Sequence, residues 1–426
     1  MTPPAIRTLT IEKPIYGGAF LARDEGKAVF VPLTLPGEQV RARIVEEKRN
    51  HATAEAEEIV APSQDRVAQK CPHFGACGGC NYQHANYEAQ LRFKEAILRE
   101  TLIRAGISAP EHIDILSADP WGYRNRIRLA FDANGRPGYR GRRSHGIVTI
   151  SECSIAAPLL VRAGLAIGAM AKKLAPGALP SEVSLFCDRD ESAMLVGFTT
   201  SAAAKFKLDE VCARLRAEIP ELAGAECIVE GRDGRPARTG ARWGAESIAY
   251  NAAGFNYQVG HGSFFQVNRW LVDALVERVT QGQSGRLAWD LFAGVGLFAR
   301  QLAPGFGRVI AVESAPASTA ALAKNLTGTS ASAVKSTTLE FVRRAARGER
   351  PDLIVLDPPR TGLDAESAKL LAKIAASALV YVSCDPATLA RDLRALIANG
   401  YAIDSVTLAD LFPQTFHLES AVRLRR

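Results

Sequence analysis

No run of about 18 or more apolar residues occurs in the 426-residue chain, so no segment has the length and composition of a membrane-spanning helix. The N-terminus, Met1-Thr-Pro-Pro-Ala-Ile-Arg7, lacks the apolar stretch of a signal peptide. Both absences lead us to expect a soluble, cytoplasmic protein with no membrane partner. Internal repeats and low-complexity tracts are also missing, which excludes solenoid and fibrous architectures. Charge of either sign is not in large excess: 52 Lys and Arg against 45 Asp and Glu leave +7, which permits a polyanionic partner without requiring one. Cysteine is sparse, with eight residues, and in a reducing compartment these are expected to stay out of disulfides. The length fits two to four domains at roughly 100 to 200 residues each. About half of the residues are apolar, enough for each domain to bury a core.

Two local concentrations stand out against this background. Cys71, Cys77 and Cys80 fall within ten residues, which points to a metal. Arg124, Arg126, Arg128, Arg136, Arg140, Arg142 and Arg143 crowd one stretch, interleaved with Trp121, Tyr123, Phe131 and Tyr139. Such interleaving suits phosphate contact with base stacking, and it equally suits the solvated face of a hairpin.

Along the chain, Gly17-Gly18, Glu25-Gly26 and Pro36-Gly37 punctuate short strand-like runs. Val40-Arg-Ala-Arg-Ile44 alternates as a half-buried strand does, and several such strands in so short a segment fit a small OB-type β-barrel. A helix is predicted from about Asn86 to Ala105, with Leu91, Phe93, Ile97, Leu98, Leu102 and Ile103 at helical spacing. A β-rich middle follows, in which Asn134-Gly135 predicts a hairpin that Pro137 and Gly138 could lengthen. From about Phe264, strands alternate with alanine-rich helices, implying a parallel sheet with βαβ crossovers.

Within that last part, Leu287-Ala-Trp-Asp-Leu-Phe-Ala-Gly-Val-Gly296 is a strand entering a glycine-rich turn. Gly294 and Gly296 let backbone approach a ligand at a helix N-terminus. The motif alone serves nicotinamide cofactors and S-adenosylmethionine equally. Glu313, ending Val309-Ile-Ala-Val-Glu313, is placed to accept from ribose hydroxyls of either. Leu353-Ile-Val-Leu-Asp-Pro-Pro-Arg360 separates the two classes. A proline-stiffened acid at a strand's ligand edge has no standard use in a dehydrogenase, but it has one in base-modifying methyltransferases.

Cys384 follows the apolar strand Ala378-Leu-Val-Tyr-Val-Ser383 and precedes Asp385-Pro386, again at the ligand edge. A buried packing cysteine is the bland alternative. Chemistry favours a nucleophile. Carbon 5 of uracil attacks a sulfonium methyl poorly until a thiolate adds at carbon 6 and makes carbon 5 carbanion-like. The methylated adduct must then lose its carbon-5 proton to a base. Asp410-Leu-Phe-Pro-Gln-Thr-Phe-His-Leu-Glu419 offers two titratable candidates, His417 and Glu419.

Taken together and in this order, these segments resemble the uracil-5 RNA methyltransferases, most closely their ribosomal-RNA branch, over nearly the whole chain. Tyr16-Gly-Gly, Val29-Phe-Val-Pro and Leu35-Pro-Gly-Glu38 resemble the RNA-binding TRAM barrel. Cys71, Cys77 and Cys80, with the distant Cys153, resemble the family's [4Fe–4S] site. Tyr123-Arg-Asn-Arg126 and Ser144-His145 fit its central domain. Phe264-Phe-Gln-Val-Asn268, Asp290 to Gly296, Asp357-Pro-Pro-Arg-x-Gly362, Ser383-Cys-Asp-Pro386 and Phe412-Pro-Gln-Thr-x-His-x-Glu419 complete the set. The resemblance implies a barrel in 1–62, a central domain in 63–262 with the cluster and an RNA-binding hairpin, and a Rossmann-like α/β methyltransferase domain in 263–426. It implies cofactor contacts from Gln266, Phe292, Glu313 and Asp357, with Cys384 as nucleophile and Glu419 as base. It also implies that the target uridine is flipped out of its RNA fold at a cost of a few kcal/mol. Arg124, Arg126, Arg140 and Arg142 are the RNA-contact candidates.

Two positions depart from the family pattern. Thr337 stands where an Asp or Asn usually contacts adenosine, and Leu297 replaces an amide side chain found in some relatives. By spacing alone four thiolates would more commonly hold zinc; the resemblance turns the expectation to iron–sulfur. Cys187, Cys212 and Cys227 are expected to be packing residues. Cytosine-5 enzymes would need a second cysteine near the Asp-Pro-Pro loop, and exocyclic-nitrogen enzymes an aromatic in place of Arg360. A non-catalytic iron–sulfur RNA-binding protein would not need both Cys384 and Glu419. The barrel and cluster together favour 23S ribosomal RNA over tRNA, and the self-contained domain set suggests a monomer.

Overall fold

The computed structural model describes residues 5–171, 180–201, 206–231, 237–345 and 348–426. The first five strands, β1 (Ile6–Pro14), β2 (Ala19–Asp24), β3 (Lys27–Pro32), β4 (Gln39–Glu47) and β5 (His51–Ala61), close a barrel in the order β1-β2-β3-β5-β4. Alternation sets its inside: Leu9, Ile11, Val40 and Ala42 are buried. Between them Arg41 and Arg43 face outward and pair with Glu58 and Glu57 at 3.1 and 2.8 Å. Such surface pairs add little stability, so the barrel rests on its apolar filling.

The helix expected near Asn86 is α1 (Tyr87–Arg104), with the Asn86 side chain accepting from the Ala89 amide as N-cap. Its buried stripe of Ala89, Phe93, Ile97, Leu98 and Leu102 is interrupted by a fully buried lysine, Lys94. A short strand, β6 (Asp114–Leu116), comes next.

The middle sheet has seven strands. β7 (Arg126–Phe131), β8 (Pro137–Arg140) and β9 (Ile147–Thr149) precede α2 (Pro158–Ala171). β10 (Glu182–Cys187), β11 (Met194–Thr200), α3 (Leu208–Glu218), β12 (Leu222–Val229) and β13 (Arg238–Gly244) follow. The expected hairpin is β7–β8, with Phe131 opposite Pro137, so Asn134-Gly135 lies in the turn and Pro137 and Gly138 lie in the strand. Cys187, Cys212 and Cys227 pack in this domain's core, as expected. β14 (Ser247–Ala252) and β15 (Phe255–Gly260) form a separate two-stranded sheet.

The rest of the chain alternates helices and strands: α4 (Val272–Thr280), β16 (Gly285–Leu291), α5 (Leu297–Leu302), β17 (Phe306–Glu313), α6 (Pro316–Asn325) and β18 (Ala331–Lys335). After these come α7 (Thr338–Ala345), β19 (Leu353–Leu356), α8 (Ala365–Ile374), β20 (Ala378–Ser383), α9 (Pro386–Ile397), β21 (Ala402–Ala409) and β22 (Glu419–Arg425). The eight-stranded sheet runs β18-β17-β16-β19-β20-β22-β21-β6. β16 to β20 pair in parallel, as the βαβ pattern implies. Alternate residues enter different cores: Ala288, Val309 and Val355 one, Trp289, Leu291 and Ile354 the other. A parallel sheet must be covered in this way on both faces.

Two features depart from the expected parallel sheet. β22 runs antiparallel between β20 and β21, making the sheet mixed. β6, far upstream of the expected boundary at 263, extends it by pairing in parallel with β21. A three-residue strand carries too little pattern to be seen in sequence. Among the described residues no helix is long and apolar enough to cross a membrane.

Candidate active site

The glycine turn leaves β16 through left-handed backbone, with Phe292 at φ 65°, Gly294 at 55° and Gly296 at 90°. At φ 90°, position 296 favours glycine by conformation, and a Cβ there would lie 2.7 Å from Leu322 Cδ1, which would have to move. Two acids brace the turn. Asp290, fully buried, accepts from the Ala299 amide at 2.8 Å, and burial pushes its carboxyl up to about 8. Glu313 accepts from the Gly294 amide at 2.9 Å and from the Ser314 and Ala315 amides at 2.6 Å. The expected ribose ligand is thus also a structural clamp between two strand ends.

Beside this turn opens a cleft of about 1080 Å³, lined by Phe292, Glu313, Thr337, the loop before α8, and residues of α8 and α9. It lies at the carboxyl ends of the parallel strands, where open α/β sheets bind ligands, and is large enough for a nucleoside cofactor. Thr337 lines the cleft and its hydroxyl accepts from the Glu340 amide at 3.2 Å. Gln266 and Asp357 meet each other, with Gln266 Nε2 donating to Asp357 Oδ2 at 3.5 Å.

At the end of β20 the backbone turns sharply. Asp385 caps α9, accepting from the Ala387 and Thr388 amides at 3.0 Å, and Pro386 occupies the first turn of that helix. This leaves Cys384 half-buried at the strand end. Burial pushes its thiol up to about 11, Glu419 adds to the rise, and Arg360 opposes it. Glu419 opens β22 and is buried; burial first, then Asp357, raise its carboxyl well above the carboxylate range. Burial lifts Asp357 to about 7. Asp357 and Arg360 therefore sit close enough to act on both Cys384 and Glu419, although the four come from three separate chain segments.

His417 is placed otherwise. Arg360 Nη2 donates to it at 3.0 Å, its ring packs on Phe416 at 4.1 Å, and burial with Arg360 lowers it to about 4. A ring so weakly basic is a poor proton acceptor, so of the two candidates Glu419 has the better surroundings for a base.

The loop between β21 and β22 is clamped by contacts that sequence reasoning did not foresee. Lys94 Nζ donates to Asp410 at 2.6 Å and to the Phe412 carbonyl at 2.9 Å, both ionic side chains being fully buried. Gln90 and Gln414 exchange hydrogen bonds at 3.0 and 2.9 Å, and the Asn81 and Tyr82 amides donate to the Gln414 carbonyl. Tyr123 donates to the Pro413 carbonyl at 3.0 Å. From the barrel, Tyr16 donates to the Cys384 carbonyl at 3.3 Å and packs edge-on against Phe416. Each of these partners is remote in sequence. Lys94, a charge on the apolar stripe of a predicted helix, was the one visible signal.

Cys71, Cys77, Cys80 and Cys153 line a single small cavity of about 80 Å³ together with Arg124 and Tyr139. Burial pushes the thiols of Cys71, Cys77 and Cys80 up, the last to about 12, with Cys153 adding to each rise. Among the described residues, no three His, Cys, Asp or Glu side chains are grouped closely enough to hold one metal ion. The four arginines divide. Arg124 lines the thiol cavity, and Arg126 lies over the Phe186 ring at 4.4 Å, so these two are largely inward-facing. Arg140 is exposed, and Arg142 donates to the Gly75 carbonyl at 3.2 Å.

Residues 242–426 match the tRNA (Uracil-5-)-methyltransferase family and residues 5–56 the TRAM domain. An uncharacterized RNA methyltransferase of Streptomyces avermitilis is 34% identical, covering 95% of this chain and 94% of its own. A 23S rRNA (uracil(1939)-C(5))-methyltransferase of Chromohalobacter salexigens is 33% identical over 98% of this chain and 89% of its own. Among solved structures, the Pyrococcus abyssi tRNA (uracil-54, C5)-methyltransferase in complex with S-adenosyl-L-homocysteine superposes with a TM-score of 0.79 at 25% identity, covering 98% and 99% of the two chains. Similarity of this extent runs through barrel, middle sheet and methyltransferase sheet alike, and the chain belongs to the uracil-5 RNA methyltransferase family.

Proposed function

We propose that the protein transfers a methyl group from S-adenosylmethionine to carbon 5 of a uridine in 23S ribosomal RNA. The observation that carries this reading is the gathering of Cys384, Glu419, Asp357 and Arg360 at the strand ends beside the glycine turn. The cofactor supplies an electrophilic methyl, and Phe292, Glu313 and Thr337 line the cleft that would hold it. Gly294 and Gly296 shape the turn beside that cleft, and Gln266 with Asp357 offers polar groups for the reactants.

Cys384 adds as thiolate to carbon 6 of the uracil, delocalising charge onto carbon 5 and the adjoining carbonyl. Arg360, beside the thiol, favours its anionic form. Once carbon 5 carries the methyl, Glu419 takes the proton from that carbon and Cys384 leaves carbon 6, restoring the ring. The substrate choice rests on full-length similarity to relatives named for 23S rRNA. Incubation with unmodified 23S rRNA and, separately, unmodified tRNA, followed by mass spectrometry of 5-methyluridine, tests it. Product in ribosomal RNA alone supports both reaction and substrate. Product in tRNA alone keeps the reaction and replaces the substrate, and product in neither overturns the activity.

Cys71, Cys77, Cys80 and Cys153 line one cavity, and these four thiols would be the ligands of a [4Fe–4S] cluster. Methyl transfer needs no electron, so the cluster would serve to hold the cysteine segment against β8 and β9. Anaerobic preparation is expected to give a brown protein with equal amounts of iron and acid-labile sulfide. A colourless protein with stoichiometric zinc would replace the cluster by zinc.

A further inference from the structure

Of the groups that act on the nucleophile, Arg360 is the least enclosed. It is exposed, whereas Glu419 is buried. Among the described residues no carboxylate pairs with it. Its guanidinium meets His417 instead, with Nη2 3.0 Å from Nδ1 and 3.4 Å from Nε2. A guanidinium carries donors only, so the ring accepts through a nitrogen that bears no proton, and Nδ1 is the nearer. The backbone of Arg360 is anchored close to the nucleophile. The Thr388 hydroxyl lies 3.1 Å from the Arg360 carbonyl and 3.3 Å from the carbonyl of Asp385, the residue after Cys384. Beyond that anchor the side chain is long and has much rotamer freedom to lose. Left free, it would divide its time between the thiol and solvent.

The ring that holds it is itself held. His417 packs on Phe416 at 4.1 Å and edge-on against Phe412 at 5.8 Å, and Tyr16 of the barrel packs edge-on against Phe416 at 5.5 Å. Burial first, then Arg360, Lys94 and Arg124, keep the ring neutral, and Asp385 opposes them. Neutrality decides what the ring does to its partner. A carboxylate would also hold the guanidinium, but its charge would offset the field that favours a thiolate. A neutral acceptor fixes the cation and leaves that field intact. We propose that His417 is a positioning residue, whose packed ring accepts from Arg360 and keeps that guanidinium beside the Cys384 thiol. This rests on Cys384 being the nucleophile, and it gives a role to a ring too weakly basic to take the proton.

The test reads the thiol in full-length, RNA-free protein, as iodoacetamide alkylation of the Cys384 peptide followed by mass spectrometry. At a fixed pH of about 8.5 the rate follows the thiolate fraction, which Arg360 raises and Glu419 and Asp357 lower. His417→Ala frees Arg360 and is expected to slow alkylation by about three- to tenfold, the loss of an opposite charge partly screened by solvent. His417→Asn supplies an uncharged oxygen acceptor and should stay within about twofold of wild type. His417→Asp supplies a charged one and should slow the reaction at least as much as His417→Ala. Arg360→Ala should slow it too, and adding His417→Ala to it should have little further effect. Melting temperature is the folding control for each variant. Wild-type alkylation in His417→Ala overturns the proposal. So do equal rates in His417→Asn and His417→Asp, or effects of His417→Ala and Arg360→Ala that simply add. Alkylation uses neither RNA nor cofactor, so a wild type that methylates no RNA would end the activity reading and leave the result on His417 standing.

Discussion

Glu419→Gln is expected to convert the enzyme into a covalent trap. In the scheme above, Cys384 attack and methyl transfer precede the step that needs the base, so losing the base leaves them available. The product of those steps is a uracil bearing the new methyl at carbon 5, still carrying its proton there and still bonded to Cys384 through carbon 6. Elimination of the thiolate requires that proton to leave. The variant should therefore complete about one methyl transfer per active site and stop, giving a protein–RNA band that survives denaturing electrophoresis. Glutamine keeps the shape and removes the basic oxygen, and at this buried position it also removes a carboxyl that burial and Asp357 disfavour as an anion. The fold should hold. Multiple turnover by the variant would transfer the base role to another group, and Asp357 is the neighbouring carboxyl that would be examined next.

Cys384→Ala should abolish product and adduct together, by on the order of 10⁴-fold or more, the scale seen when a covalent nucleophile is removed. An accompanying measurement reads the thiol itself. Because burial and Glu419 lift Cys384 to about 11, only a small fraction is thiolate near neutral pH in the RNA-free protein. Its alkylation by iodoacetamide should thus rise about tenfold per pH unit through the weakly alkaline range and level off near the raised value. The sign follows from the thiolate being the reactive form: raising the pKa depletes it at low pH and restores it as pH climbs. Arg360 opposes the rise, so Arg360→Ala should shift the alkylation profile further to high pH. A Cys384 profile centred near an ordinary thiol value would mean that the pocket does not desolvate it. Product from Cys384→Ala would end the covalent mechanism.

Much of this site was legible because strand ends announce themselves. Cys384 lies between an apolar strand and an Asp-Pro pair, and the same Asp385 that ends the strand caps the next helix. The glycine turn was legible for a similar reason, since Gly296 holds a left-handed backbone that a side chain rarely adopts. What escaped was everything fixed by distant partners. Lys94 and Asp410 are 316 residues apart in sequence, and nothing local in either declares the other. Tyr16 looked like part of a barrel turn, and only the docking of the barrel puts its hydroxyl on the nucleophile's carbonyl. The arginine stretch shows the opposite limit. Composition grouped Arg124, Arg126, Arg140 and Arg142, but packing turned the first two toward the thiol cavity and Phe186. Burial on one side of a strand is a property of the neighbours, which composition does not contain.

The place of β22 has a consequence for the order of events during synthesis. The strand that begins with Glu419 follows both β20 and β21 in the chain yet lies between them in the sheet. Until it arrives, two strand edges wait open with their hydrogen-bonding groups unmatched, the condition in which β-structure pairs with the wrong partner. Insertion then closes both edges and delivers Glu419 beside Cys384 in one movement. A nascent chain that has Cys384 but lacks β22 would hold a nucleophile without its base, so chemical competence and completion of the sheet come at the same moment.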